Sequence, residues 1–244
     1  MPTKNETAPP EGKAAGMTRV PTGVPKLDPL LEGGFEQNSV IMVTGGTGTG
    51  KTIFSLHFIW EGLQKGEPCV YLSLEEEPDE IKADARQFGW DLDEYEKKGL
   101  FRIIFHDPFE TDVSSVIVNQ IEYIKAKRLV VDSISMLGLY MKDQATVRKQ
   151  LGKLMKSVKN TGCTTIIISE ILEDSKSLSR FGVEEFVVDG VVVLNYLGIG
   201  DDNNRSMQIR KMRRTKHGKD IYPYKIGNKG IEIASAGLPV MMRK

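Results

Sequence analysis

The chain has 244 residues, enough for one large α/β unit with a single well-formed core. Lys plus Arg balances Asp plus Glu at 33 each, so overall charge gives no case for a nucleic-acid or membrane-binding protein. Two cysteines, Cys69 and Cys163, are too few for a disulfide scaffold, and no apolar run approaches the roughly 20 residues that span a bilayer.

Residues 1–17 are polar, rich in Pro, Gly, Ala, Lys and Glu, and lack the apolar stretch of a signal peptide. They are expected to be a disordered tail, with residues 236–244 a second flexible one. That leaves a single domain over 18–235 in a cytoplasmic protein whose cysteines act as small buried hydrophobes, without membrane insertion. Thr22 to Phe35 has turn residues around a short apolar stripe and reads as a short helix followed by a Gly33-Gly34 turn. Ser39 to Thr44 is a β-rich apolar run, a buried strand. After it come Gly45-Gly46-Thr47-Gly48-Thr49-Gly50-Lys51-Thr52, then Ile53 to Leu63 with apolar residues at helical spacing. Pro68 to Leu74 predicts a strand, and Pro78 to Phe88 a helix with proline in its first turn, where the missing N–H matters least. Leu100 to Phe105 and Arg128 to Asp132 predict strands on either side of an amphipathic helix, Ser114 to Lys125. Val147 to Thr161 predicts a helix closed by Gly162, and Cys163 to Ser169 another strand. Phe186 to Tyr196, Arg205 to Met212 and Tyr222 to Ile226 read as antiparallel strands, the first two joined by a loop over Gly198–Asn204. Alternating strands and helices followed by hairpins predict an α/β fold: a mostly parallel central sheet flanked by helices, with C-terminal antiparallel strands.

The segment from Gly45 to Thr52 fits G-x-x-x-x-G-K-[ST] in full, and it lies between a strand and a helix, the setting of a phosphate-binding P-loop. Gly46, Gly48 and Gly50 let the loop turn tightly, so that its amides and those of Thr47 and Thr49 point at phosphate oxygens. Lys51 would reach the β/γ-phosphates, and the Thr52 hydroxyl would ligate Mg²⁺. This pattern implies a nucleoside triphosphate and lacks the G-x-G-x-x-G spacing of a dinucleotide site. Asp132 ends an apolar strand, the position from which a carboxylate beside a P-loop holds Mg²⁺; capping of the next turn is the alternative. Glu75-Glu76-Glu77 follows another strand and allows two readings: a solvated helix N-terminus, or carboxylates that orient or deprotonate the attacking water. Arg210 to Lys219 holds six Lys and Arg side chains in ten residues, read as a nucleic-acid groove, a solvated hairpin, or cations aimed at a neighbour's triphosphate. The run has no aromatic for base stacking. His57 is read as packed or capped, and no Cys/His spacing suggests zinc.

In chain order, Thr22-Gly23-Val24-Pro25-Lys26-Leu27-Asp28 with Gly33-Gly34, the P-loop, Tyr71-Leu72-Ser73-Leu74-Glu75-Glu76, Val131-Asp132-Ser133 and Lys211-Met212-Arg213-Arg214-Thr215-Lys216-His217 resemble the motifs of KaiC-type ATPases. The chain looks like a single-domain, archaeal-style member of that RecA-related group, from about Thr18 to Ile233. The resemblance implies a RecA-like core that hydrolyses ATP with Mg²⁺ and assembles into rings, typically hexamers, with ATP at subunit interfaces. It matches Glu75 and Glu76 to the paired catalytic glutamates, acting with Lys51, and Asp132 to the Walker B acid. It matches Lys211, Arg213 and His217 to positions that reach the adjacent subunit's nucleotide. KaiC proper carries two such domains, so the autophosphorylation of its second domain is not carried over, and Thr111, Ser114 and Ser115 receive no role. Two further departures are Phe35-Glu36-Gln37 in place of a common Ile-Pro pair, and Arg214 in place of a glycine in the basic motif. A regulatory module that binds ATP and recruits a protein partner with little turnover is one alternative; a DNA-acting recombinase paralogue is the other, disfavoured by the neutral charge.

Overall fold

The computed structural model describes residues 17–107, 112–139, 141, 143–173, 175–196 and 205–234. Residues 1–16 and 236–244, the Gly198–Asn204 loop and Thr111 lie outside the described residues. The chain runs β1 (Arg19–Val20), a 3₁₀ turn (Asp28–Leu31), β2 (Phe35–Glu36), β3 (Val40–Gly45), α1 (Lys51–Gln64), β4 (Cys69–Ser73) and α2 (Pro78–Gln87). It continues through α3 (Leu92–Lys97), β5 (Phe101–Phe105), α4 (Val113–Ile124), β6 (Arg128–Asp132), α5 (Ser135–Gly138), α6 (Gln144–Asn160) and β7 (Thr164–Glu170). It finishes with α7 (Glu184–Val187), β8 (Gly190–Tyr196), β9 (Arg205–Met212), β10 (Ile221–Gly227) and β11 (Gly230–Ile233).

Nine strands form one sheet in the order β11-β10-β9-β8-β3-β7-β6-β4-β5, and β1 with β2 makes a separate ribbon. The six strands from β8 to β5 are parallel; β9, β10 and β11 are antiparallel. Every residue of β3 is buried because helices cover both faces. Val40 and Met42 pack with Ile117 and Ile121 of α4 and with Leu151 and Leu154 of α6. Ile41 and Val43 face the other way, into a core with Phe54 and Phe58 of α1 and Ile81 of α2. The parallel strands therefore end along one edge, where Gly45, Ser73, Asp132 and Glu170 sit together, the edge at which such sheets bind ligands.

The expected fold class is the one observed. Helix starts differ from expectation where a carboxylate caps. Asp143 accepts the Thr146 N–H at 2.8 Å, so α6 begins before Val147. The strand expected from Phe186 begins only at Gly190, and α7 occupies part of that stretch. The buried Glu184 carboxylate fixes the turn there, accepting the Phe181 and Val183 N–H groups at 3.2 and 3.1 Å and the Ser179 hydroxyl at 2.7 Å. Neither α3 nor β11 is anticipated by the sequence pattern. Cys69 and Cys163 are buried free thiols, as expected, and burial pushes both pKa values up.

Candidate active site

A Cβ at Gly45 would meet the Leu194 carbonyl oxygen at 2.3 Å, so β3 can turn into its loop there only through glycine. Gly48 and Gly50 have φ of +71° and +84°, the left-handed region that glycine enters freely. Gly50 is the N-cap of α1, which has no side-chain cap and no acid in its first turn. The first N–H groups of α1 thus lack side-chain partners and present a positive dipole end, suited to phosphate oxygens. The loop is braced from within and without. Thr49 Oγ1 donates to the Gly46 carbonyl at 2.9 Å, and the Tyr224 hydroxyl of β10 donates to the Thr49 carbonyl at 2.5 Å. Arg205, stacked 4.2 Å over the Tyr196 ring, donates to the Gly48 carbonyl at 3.4 Å.

Lys51 and Thr52 open α1 and face the acids at the strand ends. Lys51 Nζ donates to the Gly46 carbonyl at 3.0 Å. Burial lowers its pKa, against the opposing pull of Glu170, Asp132 and Glu75. Thr52 Oγ1 and the Tyr71 hydroxyl donate to the same Asp132 oxygen, at 3.0 and 2.7 Å. Burial raises the Asp132 carboxyl to about 6; the two hydrogen bonds oppose this, and the nearby Glu75 and Glu76 charges add to it. The strand carrying Asp132 is not adjacent to the P-loop strand. β7 lies between β3 and β6, and Thr52 bridges the gap.

The three consecutive glutamates divide. Glu77 is the N-cap of α2 in a capping box with Glu80, the solvated helix-start role. Ser73 Oγ accepts the N–H groups of Glu75 and Glu76 at 3.4 and 2.9 Å, turning the chain so that both side chains line the cleft. The Ser133 hydroxyl donates to Glu75. Burial raises the Glu76 pKa, with Asp84, Glu80 and Glu75 adding to the effect. The cleft holds about 160 Å³ and brings Lys51, Thr52, Glu75, Glu76 and Asp132 together with Glu170. Glu170 was missed by the sequence reading although it ends the apolar run Ile166-Ile167-Ile168, the same signal that marks Asp132. It pairs with Arg180 at 2.8 Å. Tyr71 was missed too, because a tyrosine within a strand reads as core.

The structure does not bring the basic turn to this cleft. β9 is antiparallel, so its end lies at the opposite edge of the sheet: Lys211 pairs with Val191, whereas Gly45 pairs with Leu194. The Arg213 N–H donates to the Asp189 carbonyl at 3.0 Å, and Asp189 N–H donates to the carbonyl of Val40 at the start of β3. Arg213 therefore sits five residues down β3 from Gly45, roughly 16 Å at strand rise. Lys211 Nζ donates to the Glu185 and Val188 carbonyls at 2.9 and 2.7 Å, and burial, with Arg213 beside it, lowers its pKa. Arg213 is half exposed, 3.6 Å from Asp189. His217 Nδ1 lies 2.8 Å from the Gly218 carbonyl oxygen.

A family model described as ATPase: KaiC matches residues 20–237. The chain belongs to the KaiC ATPase family. The UPF0273 protein of Pyrococcus furiosus is 38% identical to it over 233 residues, 87% of this chain and 92% of that protein. Circadian clock protein KaiC3 of Synechocystis is 32% identical over 226 residues, 88% of this chain but 45% of its own, so this chain spans about half that relative. A crystal structure of a KaiC-like protein from Pyrococcus horikoshii matches with a TM-score of 0.82 at 38% identity, covering 90% of this chain and 100% of that one. KaiC-family membership implies nucleotide binding in a RecA-like fold. Among the described residues, no three His, Cys, Asp or Glu side chains converge to hold a metal. The KaiC-like cleft instead offers a divalent cation one hydroxyl and one carboxylate, Thr52 and Asp132. Two hard oxygen donors are too few for an all-protein cage. They fit Mg²⁺, which keeps water and takes its remaining oxygens from phosphate. No helix among the described residues is long and apolar enough to cross a membrane.

Proposed function

We propose that this KaiC-family protein hydrolyses Mg-ATP as a ring-forming oligomer in which each site is completed by the adjacent subunit. One observation carries the reading: the P-loop, the hydrogen-bonded Thr52–Asp132 pair and the glutamates share one cleft, while the cations of the basic turn sit at the far edge of the sheet. A phosphoryl-transfer site needs both charge neutralisation and a positioned water. The α1 amides and Lys51 neutralise the β- and γ-phosphates. Thr52 and Asp132 would hold Mg²⁺, which would supply positive charge to neutralise the phosphates. Glu76, which lines the cleft and whose pKa burial raises, takes the proton of the water that attacks the γ-phosphorus as the bond to ADP breaks. Glu75, held by Ser133, orients that water. Of Lys211, Arg213 and His217, Arg213 is the most exposed and so the best placed to meet a neighbour's γ-phosphate; Lys211 and His217 shape the same turn.

Phosphate release from Mg-ATP per subunit, followed over a wide range of protein concentration, tests this. A specific rate that rises with concentration and then saturates is expected for a site between subunits. A rate that stays flat on dilution would make the site self-contained. A rate no higher than that of Lys51→Ala would leave a module that binds ATP without turning it over.

A further inference from the structure

The β1–β2 ribbon lies outside the main sheet, yet its side chains reach the basic turn at consecutive residues. Arg214 Nε donates to both Glu36 carboxylate oxygens, at 2.9 and 2.7 Å, and Arg214 Nη2 lies 2.7 Å from one of them. Arg19 Nη1 donates to Thr215 Oγ1 at 2.7 Å, and its Nη2 to the Arg214 carbonyl at 3.4 Å. Arg19 is itself paired with Glu32 at 3.0 Å. The Gly218 N–H closes the turn on the Leu30 carbonyl at 2.9 Å. Arg19 and Glu36 are register partners across the ribbon, so two adjacent anchors hold two adjacent residues of the turn.

The turn needs such anchors. Lys211, Arg213, Arg214 and Lys216 repel one another, and an exposed loop of like charges would otherwise spread over many conformations. Arg214 has φ of +53°, a left-handed conformation unfavourable for a side-chain-bearing residue and nearly free for glycine. Glycine would therefore be the cheaper residue at 214, but it could not take the bidentate bond to Glu36. Two segments where the sequence departs from the KaiC pattern, Phe35-Glu36-Gln37 and Arg214, are thus joined through Glu36.

We propose that the Glu36–Arg214 ion pair, steadied by Arg19, is a positioning device that sets the basic turn so that Arg213 meets the nucleotide of an adjacent copy. This rests on the inter-subunit reading above. Glu36 and Arg214 touch no nucleotide in that arrangement; they act through the turn. Its signature is a loss of turnover without loss of nucleotide affinity, because the P-loop of the same subunit is untouched.

The test compares wild type with Glu36→Gln, Arg214→Gln and the double variant, measuring kcat for Mg-ATP, affinity for a fluorescent ATP analogue, and the thermal unfolding midpoint. Misplacement of a charged group by about 1 Å is expected to lower kcat about tenfold in each single variant. The double should lose no more than either single, because the two residues act as one unit. Affinity should stay within about twofold and the midpoint within a few degrees, as for an ion pair with one half-exposed partner. Unchanged kcat in Glu36→Gln, alongside a dead Arg213→Ala, would overturn the positioning role and leave the proposed function standing. Losses that add in the double, or that follow the unfolding midpoint, would also overturn it. Wild-type release no higher than that of Lys51→Ala would remove the hydrolytic reading, and the positioning role with it.

Discussion

Tyr71 donates its phenolic hydrogen to Asp132 at 2.7 Å from the neighbouring strand. Ser73 is the register partner of Asp132, and Tyr71, two residues earlier, shares its face of β4. Burial pushes the Tyr71 hydroxyl well above its usual pKa, so it remains a donor. Tyr71→Phe removes a hydrogen bond to a charged acceptor and should lower stability by about 1.5–3 kcal/mol. It should also make Asp132 harder to ionise and raise the Mg²⁺ concentration needed for nucleotide binding several-fold. Thermal unfolding and a Mg²⁺ titration check this; an unchanged Mg²⁺ requirement would contradict the link.

The division of the glutamates predicts opposite phenotypes one residue apart. Glu76→Gln should lower single-turnover phosphate release by about 10²–10⁴-fold with ATP affinity retained, as for loss of a general base. Glu77→Gln should only weaken the start of α2 and leave turnover near wild type. Similar losses in both variants would mean that the acidic run works as a general field.

Gly62 lies inside α1, where alanine is the better helix former by about 1 kcal/mol. Its Cβ, however, would meet Arg128 Cδ and Nε at 2.5 and 2.6 Å and Cys69 Sγ at 2.8 Å. Arg128 cannot give way. It is fully buried, bonded to Glu67 at 2.6 Å and to the Pro21 and Phe58 carbonyls at 2.8 and 2.9 Å. Gly62→Ala should therefore destabilise the protein by about 1–3 kcal/mol in urea unfolding, the usual cost of overpacking. A stabilised variant would show that the Arg128 site is soft.

His57 is buried, and its Nε2 accepts the Ile231 N–H at 2.8 Å, tying α1 to β11. Burial depresses its pKa to about 4, partly offset by a backbone hydrogen bond with Gly23. The unfolded chain takes up this proton near pH 6.5, the folded protein only near 4. The stability involved is present above pH 6.5 and is lost as pH falls toward 4, by up to about 3 kcal/mol. His57→Gln should be less stable at pH 7 and should lose less stability between pH 6.5 and 4 than wild type. Parallel pH profiles from denaturant unfolding would contradict this.

What the sequence made legible is local. The P-loop is one contiguous run between a strand and a helix, and Asp132 and Glu75 end apolar runs. In a parallel sheet those ends meet at one edge wherever the strands fall in the order. That strand order is itself tertiary, which is why the place of β7 between β3 and β6, and Glu170 at its end, escaped notice. The same holds for contacts over long separations. Tyr71 reaches Asp132 across 61 residues and Arg214 reaches Glu36 across 178, and no spacing rule encodes either. The α3 helix was invisible for another reason: of its six residues only Leu92 is buried, so it has no apolar period to read.

The central claim is that a subunit's basic turn serves another subunit's P-loop. Mixing two variants, Lys51→Ala and Arg213→Ala, tests it most directly. Each alone should release phosphate at background rate, the first for want of its P-loop lysine and the second for want of a trans cation. In mixed assemblies the Lys51→Ala subunits supply intact Arg213 to the intact P-loops of their partners, and activity should reappear, greatest near equal proportions. If the mixture stays at background at every ratio although both variants assemble and the Arg213→Ala protein binds ATP, the site is not completed in trans.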